Sequence, residues 1–179
     1  MMPAAKTVFL SLVFVVVAAP LSFAEMSSQL GFGYGMEFKE NKDLEQYEIF
    51  WRQPLPYKTT LGDSWNVTTD IEVAAALLRE EGSDNDETGR FSLMPQVIFS
   101  PHAMVNFIVG FGAGFMVGET EFTDQNLGGS FLFNSKVGAQ LVLGEHWGLE
   151  YVFYHQSNAG IYDHNIGLNM HHFALSYKF

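Results

Sequence analysis

The chain has 179 residues, 47% of them hydrophobic and 15% aromatic, with 17 glycines, no cysteine and a formal net charge of -11. Without cysteine there is no disulfide scaffold, no lipidated cysteine and no thiolate metal site. The acidic balance argues against a nucleic-acid partner.

At the start, a single early charge, Lys6, precedes the apolar run "TVFLSLVFVVVAA", then Pro20 and the small-residue stretch "SFA" before Glu25. This is the pattern of a secretory signal peptide over residues 1–24, cleaved after Ala24, and the run is shorter than a membrane helix requires. Residues 25–179 have the length of one domain. None of their segments is long and apolar enough to cross a bilayer as a helix.

From Gln29 onward the organising signal is period-two alternation, which marks strands with unlike faces. Leu30, Phe32, Tyr34, Met36 and Phe38 share one face, and Gly31, Gly33, Gly35 and Glu37 the other. Tyr47, Ile49 and Trp51 then oppose Gln46, Glu48 and Arg52, and Trp65, Val67, Thr69, Ile71, Val73 and Ala75 oppose Asn66, Thr68, Asp70 and Glu72. The fourth segment sets Phe91, Leu93, Val97 and Phe99 against Arg90, Ser92 and Gln96; the fifth sets Val105, Phe107, Val109, Phe111, Phe115 and Val117 against Asn106, Gly110, Gly112 and Gly114. The sixth opposes Phe131, Phe133, Val137, Leu141 and Leu143 to Asn134, Lys136, Gly138 and Gln140. The seventh carries Trp147, Leu149, Tyr151 and Phe153 against Gly148 and Glu150, and the eighth Phe173, Leu175, Tyr177 and Phe179 against Ala174, Ser176 and Lys178.

In a soluble sandwich or a lipocalin the apolar face points inward and the exposed face is rich in charge. Here the polar face is thin, glycine-rich and mixed in sign, whereas the apolar face is long and aromatic. That combination predicts an all-β fold, an eight-stranded antiparallel transmembrane β-barrel of the outer membrane, apolar outside and polar inside, with no unpaired edge. Eight strands enclose an interior filled by side chains rather than a pore.

An even strand count with periplasmic termini puts the connections around residues 53–63, 100–103 and 144–146 in the periplasm. It puts "KENKD", "REEGSDNDETG", "GETEFTDQNLGG" and "NAGIYDHN" outside. Trp51, Trp65 and Trp147 then fall at periplasmic strand ends as an aromatic girdle. The acidic second outer loop reads as a solvated surface, with divalent cations bridging it to a phosphate-rich outer leaflet as the alternative.

The stretch "YHQSNAGIYDHNIGLN" acquires a location from this topology. His155 and Ser157 share the parity of Leu149, Tyr151 and Phe153, so they point outward at the extracellular end of the seventh strand. Asn169 and His171 share the parity of Phe173 and Leu175 on the descending eighth strand. Directly opposite residues on paired strands lie about 4.5–5.5 Å apart at Cβ, so one hairpin can assemble His, Ser and Asn on one surface. The chemistry this suits is acyl transfer from an ester, with serine as nucleophile, histidine as base and a third group holding the imidazole tautomer. Asn158, Asn165 and the Gly160 amide, in the adjoining loop, are candidate donors to a developing oxyanion.

The run "HQSNAG", followed by "NIGLN" and a terminal strand ending in Phe179, resembles the lipid A 3-O-deacylase family, the PagL-like outer-membrane acyl hydrolases. These are eight-stranded barrels with the pattern His-x-Ser-Asn-Ala-Gly, then Asn-x-Gly and an acidic residue. The resemblance implies hydrolysis of the ester-linked 3-hydroxyacyl chain at position 3 of lipid A, with lipopolysaccharide as substrate, outer-membrane lipid as surroundings, and no cofactor or metal. It makes Ser157 the nucleophile and His155 the base, with Gly160 and Asn165 as oxyanion donors and Asn158 in support. It leaves a homodimer open. One position departs: the family's acidic third member is here Asn169, which can orient the imidazole but offers no charge to imidazolium. Asp163 is the alternative carboxylate in the loop, and Glu150 has the parity of the interior. A non-enzymatic small structural or adhesive barrel is the rival reading, and a periplasmic lipocalin-like carrier the second.

Other features carry less. His171 and His172 are consecutive on a strand and point to opposite faces, so with His164 they make no ligand cluster. "GFGAG" sits inside a strand and precedes no helix, so it lacks the context of a nucleotide loop; its glycines, like Gly31, Gly33 and Gly35, leave room for bulkier inward side chains. Glu37, Asp70, Glu72, Arg90, Lys136, Glu150 and Lys178 read as interior charges that need counter-ions. "NVT" at Asn66 matches a glycosylation acceptor by composition alone.

Overall fold

The computed structural model describes residues 27–38, 44–80, 87–123 and 125–179. The expected signal peptide, the loop "KENKD" and most of the acidic second outer loop lie outside the described residues. Eight strands follow in chain order: β1 (Gln29–Glu37), β2 (Leu44–Leu61), β3 (Trp65–Glu80), β4 (Glu87–His102), β5 (Val105–Val117), β6 (Phe131–Leu143), β7 (Trp147–Ser157) and β8 (Leu168–Lys178). Each pairs antiparallel with the next, and β1 pairs with β8 from Gln29↔Lys178 to Glu37↔Met170, so the sheet closes on itself. Closure satisfies the ladder without an open edge, which is what a sheet surrounded by hydrocarbon requires.

The expected parity holds through the strands. Phe32, Leu93, Phe111, Phe115, Val137, Leu149 and Phe173 are exposed on the outer wall. An apolar belt running around a barrel is the lipid-facing band of an outer-membrane protein. The inward glycines do make room: a Cβ on Gly31 would lie 2.2 Å from the Phe50 ring, and one on Gly33 would lie 2.3 Å from the His172 imidazole. Trp65 stacks on Phe107 and Trp147 packs edge-on against Tyr177 at the barrel end where β1 begins and β8 finishes. Trp51 differs from the girdle expectation. It pairs with Leu30 at the start of β1, but its own strand runs ten residues further, to Leu61.

The reason is the β2–β3 hairpin, which is longer than the sequence pattern indicates. Residues 53–61 continue the strand, with Thr59↔Val67 and Leu61↔Trp65 in register beyond an irregularity between Pro54 and Lys58. Pro54 and Pro56 cannot donate to a ladder; Pro54 still stands opposite Asp70, and the pairing then lapses over residues 55–57 and resumes at Lys58. The connection itself is only residues 62–64.

The interior is divided. Towards the end where β1 begins and β8 finishes, Arg52 donates to Glu72 (2.6 Å) and, in bidentate fashion, to Glu150 (2.7 and 2.9 Å), and Lys136 reaches Glu72 at 2.7 Å. Arg90 pairs with Glu48 and with Gln46 (2.9 Å). Each of these buried charges therefore has an opposite partner, the condition under which burial is tolerated.

Towards the loop end the interior also holds an apolar cluster. Leu44, Leu78, Met94, Met116, Leu132, Leu168 and Met170 pack with Tyr154, and Phe122 and Leu127 of the β5–β6 connection fold down onto them. This plug departs from the expectation of a polar interior throughout. It arises because several strands carry Leu or Met at inward positions there and the returning loop buries its own hydrophobic residues.

Candidate active site on the outer wall

Strand alternation turns Leu149, Tyr151, Phe153, His155 and Ser157 of β7 to the outside, and closure places Asn169 of β8 directly opposite His155. His155 Nδ1 lies 2.8 Å from Asn169 Oδ1, and His155 Nε2 lies 3.1 Å from Ser157 Oγ. An amide oxygen only accepts, so Nδ1 must carry the proton. In the neutral ring Nε2 is then an acceptor, aimed at a hydroxyl hydrogen. The expected trio is thus assembled on the outer surface. Gly167 completes it: a Cβ there would sit 2.8 Å from the imidazole Cε1, so the residue before β8 must be small for the ring to take this position. Sequence reading quoted this glycine but assigned it no role.

Beyond Ser157 the chain turns sharply. Ala159 is the one described non-glycine residue with positive φ (53°), and Gly160 follows at 82°. The turn is held by Asn158, whose Nδ2 donates to the carbonyls of Leu127 (2.7 Å) and His164 (2.6 Å), while its Oδ1 accepts from the Gly160 amide (2.8 Å). Asn165 Oδ1 accepts from the Asn158 amide at 2.9 Å. Of the groups expected to meet an oxyanion, the Asn158 side chain and the Gly160 amide are therefore engaged within the loop. The Asn165 Nδ2 has no partner among the described residues, and neither has the Ala159 amide.

The β5–β6 connection is a wall of this site that sequence reading missed. Gly128 has φ 78°, and a Cβ there would lie 2.0 Å from the His164 carbonyl oxygen and 2.7 Å from Asn158 Nδ2. Ile166 N donates to Asn126 O at 3.2 Å, and the Tyr162 hydroxyl accepts from Phe131 N at 3.2 Å. The sequence signal was the glycine pair in "NLGG", but nothing local says which loop it approaches.

A groove of about 400 Å³ opens on the barrel exterior beside the trio, lined by Phe111, Phe133, Ser135, His155, Ser157 and Ala159. Phe111 and Phe133 give it aromatic walls, and Ser135, His155 and Ser157 supply polar groups. The remaining candidates fall elsewhere. Asp163 is exposed and makes no hydrogen bond to the imidazole, and Glu150 is buried in the interior on Arg52. His171 faces outward and shares a 2.8 Å hydrogen bond with Tyr151 Oη, whereas His172 points inward, 3.5 Å from Glu48. Among the described residues no group of three or more His, Asp or Glu side chains is placed to hold a metal ion.

A closed barrel with an apolar belt defines a protein of the outer-membrane barrel class, and this one carries a hydrogen-bonded Ser–His–Asn chain on its wall. A family model described as Lipid A 3-O-deacylase (PagL) matches residues 45–178. The chain belongs to this family of outer-membrane ester hydrolases. Among solved structures it is similar to the outer membrane enzyme PagL, with TM-score 0.70 and 17% identity over 83% of this chain and 97% of that one. It also resembles a de novo designed transmembrane β-barrel (TM-score 0.58, 10% identity, 86% and 95% covered). The N-terminal β-barrel domain of Pseudomonas aeruginosa OprF is similar too (TM-score 0.57, 13% identity, 86% and 97% covered). No curated protein matches the chain in sequence.

Proposed function

We propose that this enzyme removes the ester-linked 3-hydroxyacyl chain at position 3 of lipid A by serine–histidine nucleophilic catalysis, with its site open to the outer leaflet and both termini in the periplasm. The observation that carries the reading is the continuous hydrogen-bonded chain from Ser157 through His155 to Asn169 on the outward face, beside an aromatic groove. A lipid ester need not leave the membrane to meet such a site.

Ser157 Oγ attacks the ester carbonyl as its proton passes to His155 Nε2. Asn169 Oδ1 holds the Nδ1 proton and keeps the imidazole oriented through the transfer. The carbonyl oxygen becomes an oxyanion, for which Asn165 Nδ2 and the Ala159 amide are uncommitted donors; one such donor is worth about 3–4 kcal/mol in the transition state. The Gly160 amide joins only by exchanging its bond to Asn158 Oδ1. The imidazolium then protonates the departing sugar oxygen. Water, deprotonated by the same imidazole, cleaves the acyl-serine and frees the fatty acid.

The test is mass spectrometry of lipid A incubated with detergent-refolded protein. Wild type is expected to strip one 3-hydroxyacyl chain, and Ser157→Ala and His155→Ala to fall by at least about 1,000-fold while the barrel keeps its heat-dependent gel mobility. A folded wild type that leaves lipid A intact defeats the reading, as does a Ser157→Ala variant that still deacylates.

A further inference from the structure

We infer that Ser135 reads the hydroxyl group on the acyl chain and so makes the enzyme selective for 3-hydroxyacyl over unsubstituted acyl esters; the inference rests on the deacylase reading above. Ser135 lies on β6 directly opposite His155, and on the far side it pairs with Phe111 of β5. It is turned outward and lines the groove that His155 and Ser157 share.

Its surroundings make its hydroxyl conspicuous. Above the rim formed by Trp147 and Tyr177, the polar side chains that β5 to β8 turn outward are Ser135, Tyr151, His155, Ser157, Asn169 and His171. Tyr151 bonds to His171, and His155 bonds to both Ser157 and Asn169. Ser135 alone has no hydrogen-bond partner among the described residues. A hydroxyl facing an apolar medium without a partner is disfavoured. A ligand that brings its own hydroxyl into the groove supplies what is missing.

The spacing selects the position of that hydroxyl. Ser157 pairs with Phe133, so Ser135 is its diagonal neighbour across the β6–β7 ladder, at about 7–8 Å. A carbonyl carbon in attack position sits about 3–3.5 Å from the nucleophile, and a hydroxyl–hydroxyl hydrogen bond spans about 2.7–2.8 Å. What remains between the two serines is a short stretch of chain. That matches the two carbon–carbon bonds from an ester carbonyl to a β-hydroxyl. The rings of Phe111 and Phe133, stacked 5.9 Å apart between centroids, flank Ser135 and leave the rest of the acyl tail an apolar path.

The experiment compares two glucosamine phosphates in detergent micelles, one esterified at position 3 with a 3-hydroxyacyl chain and the other with the same chain lacking the hydroxyl. Wild type should favour the hydroxylated ester by about tenfold in kcat/KM. Ser135→Ala should erase the preference by losing rate on the hydroxylated ester only, and Ser135→Thr, which keeps a hydroxyl, should retain part of it. A purely structural role for Ser135 would shift both esters together, and that result overturns the inference while leaving the deacylase reading standing. So does a wild type that hydrolyses both esters equally. If folded wild type cleaves neither, the deacylase reading falls and this inference with it.

Discussion

His155 and Asn169 stand opposite one another across the β7–β8 ladder, and the imidazole Nδ1 meets the amide Oδ1 at 2.8 Å. An amide fixes the tautomer, and in the proposed mechanism it leaves the imidazolium without a counter-charge. Hydrogen bonds to charged groups are stronger than neutral ones by about 1 kcal/mol or more. Asn169→Glu is therefore expected to raise kcat by up to about tenfold, and Asn169→Leu to lower it with little change in KM. Steady-state kinetics on lipid A decides; complete inactivity of the glutamate variant would mean that Asn169 does something other than orient the ring.

Asn165 holds the Asn158 amide with its oxygen and keeps its nitrogen uncommitted. Loss of one oxyanion donor commonly costs about 100- to 1,000-fold in kcat. Asn165→Ala is expected to fall in that range, with substrate affinity preserved. A drop confined to KM would instead assign Asn165 to substrate binding.

Gly128 packs its α-carbon against the His164 carbonyl with no space for a methyl group, in a backbone conformation that L side chains rarely adopt. Gly128→Ala must push the β5–β6 connection away from the β7–β8 loop and break the contacts of Asn158. Activity should fall by more than about tenfold, since a misplacement of about 1 Å can cost 100-fold. The barrel should still show native heat-dependent mobility. An alanine variant with wild-type turnover would show that the two loops are not mechanically linked.

Arg52 bonds to both Glu72 and Glu150 deep in the lumen, away from the site. Removing one partner of a buried ion cluster costs about 3–5 kcal/mol, because the carboxylates are left uncompensated. Urea unfolding of Arg52→Met in phospholipid vesicles should show a loss of that size, with turnover per folded molecule unchanged. An unaltered unfolding midpoint would mean that Lys136 and interior water neutralise the pair without the guanidinium.

Much of this architecture could be read from residue order because strand alternation is a local property. Parity with Leu149 and Phe153 is enough to turn His155 and Ser157 outward, and parity with Phe173 does the same for Asn169. Inward glycines such as Gly31 and Gly33 are also recognisable, since a thin polar face leaves room for a large residue somewhere. Which residue fills the space is not local: Phe50 and His172 come from neighbouring strands, and Gly31 and Gly33 are identical by sequence.

What only the tertiary structure decided depends on contacts between segments far apart in the chain. The register of β7 on β8 sets His155 against Asn169, and a slip of one residue would have turned one of them inward. The descent of the β5–β6 connection adds Phe122 and Leu127 to the buried apolar cluster and holds the Asn158 side chain, which consumes donors that the loop sequence offered. The bidentate bond from Arg52 to Glu150 joins residues 98 positions apart. Alternation tells a side chain which face to take, whereas closure of the barrel and folding of its loops choose the neighbour, because those free energies depend on every strand at once.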